Sequence, residues 1–383
     1  MRIMATESLA SSKGLSQTDE MRRPPLRILD LAGSHEAMGH AHGMAHADEI
    51  RAYADERVRL AGSSFWAGGE IDRTEVLDIA RSCLPAHEAH SVDLYSELCG
   101  LADGAGITPE EAVVAGGFTD FVDTVRSVVG GRHPLEVQED DCTAFIVPDA
   151  RCDGQGFYGQ TWDMHDTATP YVVLLRIRPD DSPAALVFTT TGCLGQLGMN
   201  EAGVCVGINN LVATDGCRGV MWTSVVRDAL TCDSAAAARD AILDADLAGA
   251  HSFLTFDASG DGHMIEAFPT ARPTEALADN AQVHTNHAIW DEALARQAPK
   301  QDGLMASSTR RRDRAVELLD RDGIGVEDLM AVTRDDEAIC QVSVEPTHIE
   351  SSGAAIMRPA TLDFWAVWGL PSQNEYVHVP FPA

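Results

Sequence analysis

The feature that most restricts the fold of this 383-residue chain is a change of hydrophobic period near residues 131–141. Before it, small and apolar residues recur at helical spacing. After it, they gather in short runs separated by turn residues. The first regime predicts helices over about 35–51, 73–83, 87–102 and 109–117. Ser34 is placed to cap the first, and Thr108-Pro109-Glu110-Glu111 opens the last with a cap, an early proline and early acids. The second regime predicts strands over 143–147, 157–162, 171–177, 185–190, 204–208, 252–257, 263–268 and 363–368. Turn signals such as Asp153-Gly154 separate them. Helices over about 221–230, 234–246, 306–320 and 325–333 interrupt or follow these strands. Strands and helices grouped in blocks indicate α+β layers rather than a βαβ repeat. The segment 129–141 (VGGRHPLEVQEDD) reads as an exposed linker, and residues 1–24 as a polar leader.

Charge narrows the choice of partner. Asp and Glu number 59 against 28 Lys and Arg, giving −31 at pH 7. Such a surface repels nucleic-acid backbones and anionic membranes, so neither is an expected partner. No apolar run reaches the length of a membrane span, and no secretion signal is visible, which makes the cytoplasm the expected location. The nine cysteines are scattered singly, without CxxC pairs, so no disulfide framework is expected. His42 and His46 lie one turn apart, but no acid or cysteine completes a metal set, and neither a metal nor another cofactor is expected.

One cysteine differs from the rest by position. Asp141-Cys142-Thr143-Ala144-Phe145 runs an acidic loop directly into a strand, with Cys142 at the junction. If the Asp141–Cys142 bond broke, Cys142 would become a chain terminus carrying its own base, because an α-amino group titrates near pH ~7.7–8.0. Gly159-Gln-Thr-Trp-Asp163 sets a carboxylate at the end of the next strand. Val283-His284-Thr285-Asn286-His287 sets a side-chain amide at another strand end, a suitable donor to an oxyanion.

Further stretches join these in order: Gly39-x-x-His42-Gly43, Gly198-Met-Asn-Glu-Ala-Gly203-Val and Ile339-Cys340. Together they resemble the penicillin acyltransferase-like family of cysteine N-terminal-nucleophile hydrolases, across roughly residues 27–380. The resemblance implies a four-layer αββα sandwich and self-cleavage between Asp141 and Cys142. It implies a mainly helical segment (25–141) retained beside a catalytic segment (142–383), a processed heterodimer. It further implies Cys142 as nucleophile, Asp163 as the acid orienting the new terminus and Asn286 as oxyanion donor. Two departures stand out. A fungal member carries glycine where this chain has Asp141, and a serine followed by arginine where this chain has Ser351-Ser-Gly-Ala.

The expected function is hydrolysis of a small linear amide, an N-acyl or β-aminoacyl amine, through a Cys142 thioester. Acyl transfer to an amine is the first alternative. A non-catalytic binding protein on the same fold is the second. Phe145, Trp162, His287 and Ser351 are the expected substrate-contacting residues, and Arg311, in a run of cations, is placed to reach an acidic group near the site.

Overall fold

The computed structural model describes residues 26–131, 141–345 and 348–382. The proposed leader and most of the proposed linker lie outside these residues. In chain order the strands are β1 (Ile28–Gly33), β2 (Asp141–Val147), β3 (Phe157–His165), β4 (Val172–Pro179), β5 (Ala185–Thr190), β6 (Leu197–Asn200) and β7 (Cys205–Leu211). There follow β8 (Ala250–Phe256), β9 (Gly262–Ala267), β10 (Thr274–Ala276), β11 (Gln282–His284), β12 (Ile349–Arg358), β13 (Asp363–Trp368) and β14 (Val377–His378). They form two sheets, ordered β1-β4-β5-β6-β7-β8-β9-β10 and β11-β2-β3-β12-β13-β14.

The inner faces meet in a core that joins Ala144, Tyr158 and Trp162 of the smaller sheet to Leu174, Phe188 and Leu254 of the larger one. Helices α8 (Trp222–Ala229) and α9 (Ala235–Asp244) cover the larger sheet, packing Val225, Ala238 and Ile242 on Val173, Val187 and Val206. Beyond a short α10 (Asp291–Leu294), α11 (Asp302–Leu319) and α12 (Val326–Thr333) cover the smaller sheet, where Ala315, Leu319 and Leu329 meet Phe145, Phe157 and Ile356. The layers are therefore αββα.

Helices α1 (His35–Ala45), α2 (Ala47–Ala61), α3 (Ser64–Ala67), α4 (Arg73–His90), α5 (Val92–Ala105), α6 (Pro109–Gly116) and α7 (Phe118–Val129) form a separate block with its own core. Its closest packing is between α1 and α5. A Cβ on Gly39 or Gly43 would stand 2.0 or 2.2 Å from the carbonyl oxygens of Glu97 and Leu101, so the glycine motif allows the two backbones to touch. His42, also in that motif, is buried and accepts a hydrogen bond from the Gly192 N–H at 3.2 Å. Burial pushes its pKa down to about 4, which keeps the ring neutral as an acceptor.

Several expectations need correction. The helix expected over 35–51 is two helices that break at His46. The stop expected near residue 84 does not occur, since Pro85 sits inside α4. Within the mainly helical N-terminal segment one strand was not foreseen, β1, which pairs parallel with β4 in the larger sheet. Asp141 is not in an exposed linker but is the buried first residue of β2. Among the described residues, no helix is long and apolar enough to cross a membrane, and no group of three His, Cys, Asp or Glu is arranged to hold a metal.

Candidate active site

β2 and β3 pair antiparallel, so Asp141 lies opposite Asp163, Cys142 opposite Trp162 and Thr143 opposite Thr161. The connection turns at Gly154, whose φ of +88° explains the Asp-Gly turn signal. On the other side of β3, Ser351 of β12 lies opposite Asp163. β11 pairs with β2, and the loop leaving β11 carries Asn286 back to the start of β2. Four residues distant in sequence thus converge at one end of the smaller sheet.

Strand alternation divides them between two faces. Cys142 and Trp162 belong to the inner core between the sheets, and both are buried. Asp141, Thr143, Asp163 and Ser351 lie on the outer face beneath α11. That helix contributes Arg311, fully buried, whose guanidinium donates to the Cys142 carbonyl oxygen at 2.5 Å, to Asn286 Oδ1 at 3.0 Å and to Thr143 Oγ1 at 3.3 Å. It also pairs with the Asp141 carboxylate at 3.1 Å. The acidic group expected near Arg311 is therefore Asp141.

Asn286 Oδ1 accepts the Cys142 N–H at 2.7 Å, while Asn286 Nδ2 donates to the Asn210 carbonyl of β7 at 3.1 Å. With the Asp141–Cys142 bond intact, this side chain meets Cys142 as an acceptor rather than a donor. Its loop is fixed from two sides. Ser308, one turn before Arg311 on α11, accepts the Asn286 N–H at 2.9 Å and contacts His287 Nδ1 at 2.7 Å. Glu266 of β9 contacts His284 Nε2 at 2.7 Å and accepts the Ile289 N–H at 2.7 Å.

Asp163 is fully buried. Burial pushes its pKa up to about 7, reinforced by the Asp141 charge and opposed by Arg311 and by hydrogen bonds. Ser351 Oγ donates to Asp163 Oδ1 at 2.6 Å. The other oxygen, Oδ2, has no hydrogen-bond partner among the described residues. The His287 ring is pushed down to about 4, by burial first and then by His284 and the cations Arg312, Lys300 and Arg311.

Phe145 is not brought to this site. Its ring lies on the outer face in the core under α11 and α12, filling the space above Gly159, where a Cβ would meet it at 2.3 Å. A residue absent from the sequence reading does stand on the inner side. Asn209 of β7 is completely buried, and neither its side-chain oxygen nor its nitrogen has a hydrogen-bond partner among the described residues. It shares the inward parity of Cys205, and β7 approaches the site through Asn210. An unpaired buried amide costs free energy unless a ligand or reacting group satisfies it. The available signal was two consecutive asparagines in an otherwise apolar run, Cys205-Val-Gly-Ile-Asn-Asn-Leu211.

Residues 150–368 match the family described as acyl-coenzyme A:6-aminopenicillanic acid acyl-transferase. The acyl-coenzyme A:6-aminopenicillanic-acid-acyltransferase 40 kDa form of Emericella nidulans is 24% identical over 271 residues, 69% of this chain and 70% of that protein. Among solved structures, a mutant conjugated bile acid hydrolase from Clostridium perfringens is 12% identical with a TM-score of 0.45, covering 63% of this chain and 97% of that one. Penicillin V acylase from Agrobacterium tumefaciens is 12% identical with a TM-score of 0.36, covering 60% of this chain and 76% of that one.

Proposed function

Because the chain belongs to the acyl-coenzyme A:6-aminopenicillanic acid acyl-transferase family, we propose that it is a self-processing cysteine amidase whose nucleophile is Cys142. The observation that carries this reading is the grip on Cys142 at the first turnable point of β2: its N–H on Asn286 and its carbonyl oxygen on Arg311, at 2.7 and 2.5 Å. Both contacts involve atoms that remain on Cys142 after cleavage, so a new amino terminus would stay aligned.

In self-cleavage the Cys142 sulfur attacks the Asp141 carbonyl carbon. The C–N bond breaks, the thiol proton passes to the departing nitrogen, and a thioester joins Asp141 to the sulfur. Water then cleaves the thioester, leaving a carboxylate on Asp141 and a free thiol and amine on Cys142. In turnover the thiol attacks a substrate amide, and the α-amino group carries its proton to the leaving amine. Water releases the acid from the second thioester.

Asp163, in its ionised form, would hold the α-ammonium, and Ser351 would hold Asp163. Asn209 is the proposed oxyanion donor on the inner face, since its amide is buried and unpaired. Asn286 orients the terminus through Oδ1. Trp162 forms a wall beside Cys142, and His287 braces the Asn286 loop. The pairing of β1 with β4 supports continued association of the segments before and after the cut. The substrate is a small linear amide. A second reading, acyl transfer, is favoured by the family description alone. It predicts product from a thioester plus an amine, and no such product at saturating amine would remove it.

Intact-mass analysis of wild type beside Cys142→Ala tests the main reading. Wild type should give fragments corresponding to residues 1–141 and 142–383, with amide hydrolysis, and the variant one inactive chain. An uncut wild-type chain with full activity would overturn the mechanism.

A further inference from the structure

α7 is the last described element before β2. Asp120, Asp123 and Thr124 stand on one of its faces, at the i, i+3 and i+4 spacing that places side chains together. None of the three is more than 2% exposed. A buried carboxylate is costly unless hydrogen bonds and a countercharge compensate it, and both of these hold a backbone N–H of the segment after Cys142. Asp120 Oδ2 accepts the Trp222 N–H and Asp123 Oδ2 the Ala213 N–H, each at 2.8 Å. Thr124 Oγ1 donates to the Cys217 carbonyl oxygen at 2.7 Å. On the remaining oxygens, Asp123 Oδ1 accepts from Arg126 at 2.8 Å, and Asp120 Oδ1 lies 3.1 Å from His251 Nδ1. Gly216 and Gly249 permit so close an approach, since a Cβ there would stand 2.8 Å from Asp123 Cβ or 2.7 Å from Asp120 Cα.

Two routes of direct contact lead from these carboxylates to Asn286. In the first, His251 of β8 is the register partner of Asn210 on β7, and the Asn210 carbonyl oxygen accepts from Asn286 Nδ2 at 3.1 Å. His251 sits between Asp120 and the Trp222 ring, whose centroid is 4.9 Å from its own. In the second, Ala213 forms an antiparallel bridge with Gln297, whose Oε1 accepts the Ala288 N–H at 2.6 Å, two residues after Asn286. Both routes end on the side chain whose Oδ1 accepts the Cys142 N–H at 2.7 Å. The two aspartates precede residue 150, where the family match begins.

Resting on the amidase reading above, we propose that Asp120 and Asp123 are positioning residues for Asn286, through which the segment before the cut aligns the Cys142 terminus. Neither aspartate touches the reacting atoms. Asn286 is tied to the end of β7 by its amide nitrogen, so a shift of that end moves Oδ1 away from the Cys142 nitrogen. After self-cleavage that nitrogen is the amine that carries the thiol proton. The helical segment therefore remains part of the working site and is more than a retained scaffold.

Hydrogen exchange read by mass spectrometry in the full-length Cys142→Ala chain tests the positioning without any activity. Asp120→Ala and Asp123→Ala should each speed exchange over residues 285–290 at least about tenfold, while α12 keeps its wild-type rate. Asp123→Asn keeps an oxygen for the Ala213 N–H and should restore most of the protection. Should Asp120→Ala not fold, the isosteric Asp120→Asn takes its place, with faster exchange over 285–290 again expected. A rise confined to residues 213–222, or an equal rise everywhere, would overturn the inference. With Cys142 present, kcat on an N-acyl 4-nitroanilide, counted per cleaved chain, should fall at least about tenfold with KM within about twofold, since a 1 Å misplacement can cost about a hundredfold. A merely structural role would leave that kcat unchanged, which would also overturn the proposal. Where the anilide is not a substrate, the time course of self-cleavage takes its place. If wild type neither cuts itself nor hydrolyses the anilide, the amidase reading fails, and the exchange data alone decide whether α7 positions Asn286.

Discussion

Glu97 in the helical block and Asp163 at the end of β3 are both shut off from solvent beside a fully buried arginine, yet their acidities move in opposite directions. Burial pushes Glu97 up, but Arg227 and His35 overcome it and hold the carboxyl below its usual range. The contacts are direct: His35 Nδ1 at 2.6 Å and Arg227 Nη2 at 3.2 Å on Oε2, with Arg227 Nε at 3.4 Å from Oε1. Among the described residues, no cation is in direct contact with Asp163. Arg311 is engaged with Asp141, Asn286 and the Cys142 carbonyl, and it reaches Asp163 only through space, leaving burial dominant. One carboxylate is neutralised where it sits. Under the proposed mechanism, the other would meet its cation only when self-cleavage frees the Cys142 amine.

Replacing the two arginines should separate these roles most sharply. Arg227→Met removes the guanidinium from the buried Glu97 carboxylate, leaving His35 to hold it, and should cost up to about 3–5 kcal/mol of stability. Self-cleavage in its folded fraction should continue near the wild-type rate. Arg311→Met should instead slow self-cleavage at least about a hundredfold, the scale on which positioned electrostatic groups act. Denaturant midpoints and cleavage time courses for both variants check this. Equal loss of cleavage in the two would erase the distinction between a structural and a functional ion cluster.

A smaller effect is expected from Asp163 itself. In the uncut state its pKa of about 7 stands above the ordinary 3.8. The folded chain therefore binds more protons than the unfolded chain between about pH 4 and 7, and this residue's contribution to stability falls as pH rises through that window. Between pH 5 and 8 the loss is on the order of 2–3 kcal/mol. In a Cys142→Ala background, Asp163→Asn should thus raise Tm more at pH 8 than at pH 5. An equal change at both values would mean that Asp163 is already ionised at pH 5, as Glu97 is expected to be.

Much of this contrast was legible in the sequence, for identifiable reasons. Helix starts carried their signals in adjacent residues: Ser34 caps α1, and Thr108 and Glu111 form a reciprocal capping box on α6. Cys142, Asp163 and Asn286 were each expected at a strand end, and the structure brings them to one end of the smaller sheet. What stayed hidden depended on packing. α7 has polar residues at helical spacing, but Asp120, Asp123 and Thr124 are buried and bonded to Trp222, Ala213 and Cys217 rather than facing solvent. β12 contains Ser351-Ser352-Gly353 and a register shift between Ser351 and Gly353, so its period is broken where it meets Asp163. Asn209 lay just beyond the strand expected over 204–208, and its lack of partners became visible only once β7 was seen to run to Leu211. Phe145, three residues after Cys142 on β2, falls by strand alternation on the opposite face, in the core under α11 and α12.

The smallest effect probes how Asp163 is tuned. Ser351 Oγ donates to Oδ1 at 2.6 Å and so favours the charged form. Ser351→Ala removes that donor and leaves the carboxyl more easily protonated. Under the proposed mechanism turnover needs the carboxylate to hold the Cys142 α-ammonium, so the acidic limb of the kcat profile should move to higher pH. A hydrogen bond to a charged group is worth roughly 1.5–3 kcal/mol, which corresponds to about one pH unit or more. Ser351→Thr keeps the hydroxyl and should return the limb toward wild type. A limb unmoved in Ser351→Ala would mean that a different group governs it, and the comparison with Glu97 would then describe folding alone.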